Sequence, residues 1–488
     1  MNPSGSAEES AERGETRSAP SPGLFWWMRA LVAIWAAKAA IWLIRRLHLG
    51  GGSALPGRIA LAIDPSLPAF LARQLPGGVL MVTGTNGKTT TCRILTALLT
   101  RRGLRVAANP TGANMLPGIA AALAAAADGL GRLRADVAVI EADERSVPKA
   151  AMALGPRVLL VTNLFRDQLD RAGEPEIIRE LLRGAAQRLP LGSALVLNAD
   201  DPMVADLGRN AATAPLYFGI EDAPAGAARH HTPDAHMCQR CGAPYTYAPL
   251  YYAHLGRYHC ARCGARRPEP AVCLRAVTPR GEAGYAAELV VNGTSLSLTI
   301  GFPGLYNAYN ALAACAALSA AGHRPGPGPI EIGAEIGAFG RMEWITVGQK
   351  RLLLALIKNP TGALETLETV LSLPQTRHLL LILNDLAADG EDVSWIWDIH
   401  LERLLAAVDR CEVAVSGRRA AELGVRLKYE GWPADRLQVE PDIARAIWAA
   451  LAEVPPGGVL TVLATYTAML EARRVLQRDG LVAGFWER

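Results

Sequence analysis

The sequence predicts an α/β protein: a central phosphate-loop ATPase unit carrying a four-cysteine insertion, followed by a smaller doubly wound α/β unit. Three observations carry this expectation. A glycine-containing loop, Gly84-Thr-Asn-Gly-Lys-Thr-Thr90, stands between an apolar run at 78–82 and a helical stretch at 89–99. Short apolar runs then alternate with helical segments, the pattern of parallel strands covered on both faces. Pro325-Gly-Pro-Gly-Pro329 marks a boundary, and the alternation resumes after it. At 488 residues the chain exceeds the ~250–300 at which a single core stops growing.

Residues 1–24 are polar and too poor in apolar side chains to pack, so they read as a disordered tail. A Trp- and Ala-rich hydrophobic helix follows, within 25–54. Arg29 and Lys38 argue against a membrane-spanning role, because a central Lys costs about 2.5–3.5 kcal/mol on insertion scales. No small-residue cleavage site follows, which argues against a signal peptide. Two readings remain: a helix packed on the catalytic body, or one lying at the membrane surface with Arg45 and Arg46 at the headgroups. Packing is favoured, since the two internal charges fall on roughly opposite faces.

The loop is the strongest chemical signal. Gly84 and Gly87 let backbone amides close around an anion at a helix N-terminus. Lys88 is placed to reach the β- and γ-phosphates of ATP, the Thr89 hydroxyl to ligate Mg²⁺, and Thr85, Asn86 and Thr90 complete the cradle. Further strands are expected at 137–140, 158–161 and 194–197, with a helix from Glu174 to Leu189. Ligands of such a sheet sit at the carboxyl ends of its strands. Glu141 ends one of them and is the expected Mg²⁺ ligand, whereas Glu144 reads equally well as a solvated loop residue.

The pattern breaks near Glu221. Cys238-x2-Cys241 and Cys260-x2-Cys263, 18 residues apart and each followed by glycine, have the spacing of a zinc ribbon at 236–270. Four thiolates complete a tetrahedral Zn²⁺ shell with no open position, so the site reads as structural and His236, His254 and His259 as solvated or packing residues. Asn292-Gly293 between alternating segments signals a hairpin. A helix from Asn307 to Ala321 closes a central unit spanning 55–335. Strands are then expected at 352–357, 379–383, 412–415 and 459–464, within a unit spanning 336–488.

Bulk properties exclude some classes. A net charge of +4 gives no case for nucleic acid as a partner. The other four of the eight cysteines are scattered singles, which suggests the reducing cytoplasm rather than a disulfide scaffold.

The loop's short form, with valine at 82, resembles that of the Mur ligase family. Thr162-Asn163, Asp167, Asp170 and Gly173 match a second family motif, with Gln168 where the family usually has a metal-binding His. Asn198-Ala-Asp-Asp-Pro202, the pair Asn307 and Asn310, and Phe339-Gly-Arg-Met-Glu343 match further motifs. The third-domain motif of amino-acid-adding members is replaced by Ala355-Leu-Ile-Lys-Asn-Pro-Thr-Gly362. With the 383–398 segment and the cysteine insert, this resembles the MurT-type subunit of lipid II isoglutaminyl synthase over about 55–470.

The resemblance implies ATP-dependent amidation of the D-glutamate α-carboxyl in the lipid II stem peptide. Asn307 and Asn310 would hold the adenine and Arg341 would approach the nucleotide. Ammonia would come from a GatD-type glutaminase partner, since this chain has no nucleophile elbow of its own. Asp392 would be offered across the interface to orient the partner's catalytic His, with Trp395 and Trp397 suited to that interface. The competing expectation is a stand-alone Mur or folylpolyglutamate-like amino-acid ligase.

Overall fold

The computed structural model describes residues 24–47, 54–109, 112–167, 175–226, 235–323, 328–333, 336, 342–407 and 409–482. The expected tail up to residue 23, and Gln168, Asp170, Gly173, Phe339, Gly340 and Arg341, lie outside them.

The first sheet grows from the phosphate loop. Its strands are β1 (Val79–Thr83), β2 (Val106–Ala108), β3 (Val137–Glu141), β4 (Val158–Val161), β5 (Ala194–Asn198) and β6 (Leu216–Ile220). All six are parallel, in the order β6-β5-β4-β1-β3-β2. Val79–Thr83 and Val137–Glu141 are buried along their whole length, as a strand with helices on both faces must be. The expected boundaries match to within a residue.

After β6 the chain leaves the sheet for the cysteine insert and a two-stranded ribbon, β7 (Thr246–Tyr252) and β8 (Leu255–His259). It returns as β9 (Val272–Pro279), parallel to β6. An antiparallel meander of β10 (Tyr285–Val291) and β11 (Thr294–Ile300) extends the sheet, and β12 (Ile330–Ile332) completes ten strands. Asn292 and Gly293, at φ 48° and 83°, form the left-handed turn that the Asn-Gly pair predicted.

The second sheet has six strands in the order β13-β14-β18-β15-β16-β17. They are β13 (Glu343–Val347), β14 (Lys350–Leu356), β15 (Thr376–Ile382), β16 (Glu412–Ser416), β17 (Leu437–Val439) and β18 (Val459–Ala464). Only β13 runs antiparallel.

The helix Leu24–Arg46 packs Ala30, Ala33, Ile34 and Ala37 against the first unit, on the helices Ala54–Ile63 and Leu116–Ala126. The Trp26 indole donates to Ser66 Oγ at 2.7 Å, and its ring meets Phe70 edge-on.

Candidate active site

The carboxyl ends of the central strands open into a cavity of about 580 Å³ whose lining comes from both sheets. Thr85 to Thr90 form its floor, and the second unit supplies Lys358, Gly362, Asp389 and Tyr466 to the opposite wall.

The loop's shape depends on two glycines. Gly84 has φ 123°, and a Cβ there would stand 2.2 Å from Thr162 Oγ1; Gly87 has φ 86°, and a Cβ there would stand 2.0 Å from Asn310 Oδ1. No other residue fits either position. The Thr162-Asn163 pair braces the loop from the neighbouring strand end. Thr162 Oγ1 donates to the Asn86 carbonyl at 2.9 Å, and Asn163 Oδ1 accepts from the Asn86 amide at 2.8 Å. The Thr85 hydroxyl accepts from the Phe165 amide at 3.0 Å.

Lys88 begins the helix Lys88–Thr100, and its ammonium donates to the Gly84 carbonyl at 2.6 Å and to Glu144 Oε1 at 2.9 Å. Burial pulls its pKa down, but the charges of Glu144, Glu141 and Asp143 outweigh burial and hold it above the ordinary lysine value. The ammonium is therefore charged at neutral pH. Glu144 is thus not a solvated loop residue: its side chain is 12% exposed and paired with the loop lysine. Glu141 is buried beside it, its carboxylate accepting from Asn114 at 3.3 Å. Asn109 holds the Glu141 backbone through a reciprocal pair of hydrogen bonds, both 2.9 Å. Thr89, Thr90 and Glu141 line the same cavity, which places a hydroxyl and a carboxylate where a hard cation would need oxygen.

The two asparagines have unequal places. Asn310 lines the cavity against Gly87, while Asn307 stands behind it, accepting from the Asn310 carboxamide at 3.3 Å and donating to the Pro303 carbonyl at 2.6 Å. Tyr252, Tyr306 and Phe165 give this end an aromatic wall. Tyr252 comes from the ribbon of the cysteine insert, a contribution no motif announced. The ribbon is anchored there by Phe165, whose ring lies 4.7 Å from that of His254, and by His254 Nε2, buried 3.2 Å from Asp201 Oδ2. His254 is a packing residue; His236 and His259 are exposed.

Asn359 of the second unit also reaches the loop, and Lys358 beside it reaches Asp167. The Asn359 carboxamide donates to Asn86 Oδ1 at 3.1 Å and to Asp167 Oδ1 at 3.3 Å, and Lys358 Nζ donates to Asp167 Oδ2 at 2.7 Å. Asn359 also caps the helix Pro360–Leu371, accepting from the Gly362 amide at 2.8 Å.

The sulfurs of Cys238, Cys241, Cys260 and Cys263 all lie within 4.8 Å of one another, with Cys238–Cys263 at 3.5 Å and Cys241–Cys260 at 3.6 Å. A tetrahedron of thiolates about 2.3 Å from Zn²⁺ has edges of ~3.8 Å, so the cluster fits that ion. Asp392 lies away from the cavity on an exposed loop, its carboxylate accepting from the Ser394 amide at 2.8 Å. Bonds from the Ser394 hydroxyl and amide lower its pKa. Trp395, expected at an interface, is instead buried in the core; Trp397 is half-exposed, with its ring against Tyr429.

Comparison with known proteins agrees with this geometry. The family profile "Mur ligase middle domain" matches residues 82–240, and "MurT ligase C-terminal" matches residues 356–469. Among solved structures, a pseudomurein peptide ligase type C from Methanothermus fervidus superposes with a TM-score of 0.60 at 22% identity, covering 82% of this chain and 78% of that one. A folylpolyglutamate synthase from Mycobacterium tuberculosis gives a TM-score of 0.57 at 17% identity, over 91% and 95% of the two chains. These structures share the fold. The MurT subunit of the glutamine-hydrolyzing lipid II isoglutaminyl synthase of Streptococcus pneumoniae is 33% identical over 459 residues, 93% of this chain and 98% of that one. Its Staphylococcus aureus (strain COL) counterpart is 31% identical over 93% and 99%. With such identity along nearly the whole of both chains, and two Mur-type profiles matched in order, this chain belongs to the MurT family of Mur ligases.

Proposed function

We propose that the chain is the ATP-dependent ligase subunit of a lipid II isoglutaminyl synthase, acting with a GatD-type glutaminase subunit. It amidates the D-glutamate α-carboxyl of the lipid II stem peptide to D-isoglutamine. One observation carries this reading: a chain that aligns end to end with MurT subunits brings its phosphate loop, two carboxylates and the second unit's Lys358 to a single cavity. The units are taken as 55–335 for ATP binding and 336–488 for the acceptor and partner side.

In the reaction a carboxylate oxygen attacks the γ-phosphorus and ADP leaves, giving an acyl phosphate. Ammonia then attacks the acyl carbon, phosphate departs and a proton is lost. Gly84 to Thr90 cradle the phosphates, and Lys88, held charged by Glu144, is positioned to follow the γ-phosphoryl group. Thr89 and Glu141 are the residues to hold Mg²⁺, which when bound neutralises phosphate charge. Asn310, backed by Asn307, presents a donor and an acceptor to the adenine edge, and Arg341 is assigned to the nucleotide by its motif. Zn²⁺ is assigned to the four cysteines as a structural ion. A lipid-linked acceptor places the chemistry at the inner face of the cytoplasmic membrane.

Asp392 is assigned to the partner's imidazole, supported by its exposure on the loop. The reconstituted two-subunit complex tests both assignments. Wild type is expected to amidate the stem peptide with Mg-ATP and either glutamine or ammonium. Asp392→Asn is expected to keep the ammonium reaction within about two-fold and to lose most of the glutamine reaction, as an amide cannot stabilise the imidazolium. Absence of amidation from either nitrogen source in the wild type refutes the function; equal loss of both in the variant refutes the role of Asp392.

A further inference from the structure

The helix Leu24–Arg46 packs one apolar face on the protein and leaves a second apolar face exposed, in a way that the sequence concealed. Its two internal charges serve the protein: Arg29 Nε donates to the Ile63 carbonyl at 2.7 Å and Lys38 Nζ to the Ala125 carbonyl at 3.2 Å. Both carbonyls belong to last turns of neighbouring helices, Ala54–Ile63 and Leu116–Ala126, where cations are favoured. With those charges drawn to its flanks, the outer face carries Phe25, Met28, Val32, Trp35, Trp42 and Leu43, between 49% and 80% exposed. Their spacing puts them on one stripe that Arg46 continues. The helix holds no acidic residue.

We propose that this stripe is a docking face for an anionic bilayer, the chain lying on the membrane with the helix in the plane of the headgroups. The preference for a bilayer over a protein partner rests on the proposed lipid-linked acceptor, and charge supports it. Exposed Arg45 and Arg46 end the stripe, and exposed Arg132 lies on the loop whose Gly129 abuts the Trp35 ring, beside an Arg134 that is paired with Asp128 at 3.3 Å. Exposed Leu130 on that loop extends the apolar surface. Tryptophans with an apolar body and basic residues at the edge are the composition of an interfacial helix. Spanning is excluded while the inner side, Ala30, Ala33, Ile34 and Ala37, is buried in the protein.

The test uses the full chain with vesicles of phosphatidylglycerol and phosphatidylcholine, or of phosphatidylcholine alone, without acceptor or partner. Wild type is expected to co-float with the anionic vesicles, with a blue shift of tryptophan emission, and to float at least about five-fold less with neutral vesicles or high salt. Trp35→Glu/Trp42→Glu is expected to reduce flotation about ten-fold or more, and Arg45→Glu/Arg46→Glu to remove the lipid-charge dependence. Melting temperature and Mg-ATP affinity should be unchanged in both variants. Failure of wild type to float overturns the proposal, as does undiminished flotation of the tryptophan variant or a wild-type dimer that this variant dissociates. Amidation of a lipid-free stem peptide separates the two readings. If it proceeds while flotation fails, the docking face alone is wrong; if flotation holds while amidation fails, the proposed function is wrong.

Discussion

Lys88 shows how a residue legible in sequence acquires its energetics only from the fold. Its role followed from the loop, but its burial and its partner did not, because Glu144 lies 56 positions away on a turn that reads as solvated. Removing the ammonium leaves the Glu144 carboxylate at an open cavity that water can enter. Lys88→Ala is therefore expected to lower ATP-dependent amidation at least about 100-fold, with melting reduced by only a few degrees. Single-turnover assay and calorimetry on the same preparation check this, and near-wild-type turnover removes Lys88 from the phosphate site. Lys358 and Asn359 were legible only as letters standing where the family has another motif. The contact of Asn359 with Asn86 spans 273 positions, and no local pattern encodes a meeting at that separation. Trp395 and Trp397 make the same point: they share one short helical turn, yet one faces the core and the other solvent.

Elements were more legible than contacts because hydrophobic period is local. The buried strands β1, β3, β4 and β18 stand within a residue of their expected places, since each is apolar along its length. The short strands β2, β12 and β17, three residues each, carry no period to read. The cysteine insert was legible from spacing, whereas the arrival of its ribbon at the nucleotide cavity through Tyr252 was not. The knuckle end of the insert has little core of its own beyond Cys238, Cys260 and Ala265, so its order is expected to depend on ligation. One Zn²⁺ per chain is expected by elemental analysis, lost in Cys238→Ser together with part of the affinity for Mg-ATP. Full nucleotide affinity in a zinc-free variant would separate the insert from the site.

Across the whole molecule the cavity exists only where two sheets meet, and among the described residues polar contacts hold the two units together at three places, one of them an Arg166–Asp398 ion pair at 3.7 Å. Asn359 and Lys358 bind the loop side, while Arg351 of β14 forms a bidentate ion pair with Glu282, at 2.9 and 3.1 Å, on the connection between β9 and β10. Asn359→Ala is expected to cost about 1–2 kcal/mol, through the lost helix cap and the amide pair, and to raise the KM for ATP. Asn86→Ala removes the pair but keeps the cap. A double-mutant cycle with denaturant melts and ATP titrations is expected to give a coupling of about 0.5 kcal/mol or more between them. Strict additivity would make the contact energetically idle.

The detour between β6 and β9 bears on how the chain folds. The two strands are adjacent in the sheet, yet Phe218 pairs with Val272, and the whole cysteine ribbon lies between them. Closing such a loop restricts the unfolded chain, at a cost that grows with the logarithm of the loop's free length. A ribbon already cross-linked through its sulfurs would shorten that free length, so the meander β9 to β11 and the helix Leu305–Ala320 behind it would join the parallel half sooner. Refolding rate, rather than final stability alone, would then track the state of four thiols that do not line the cavity.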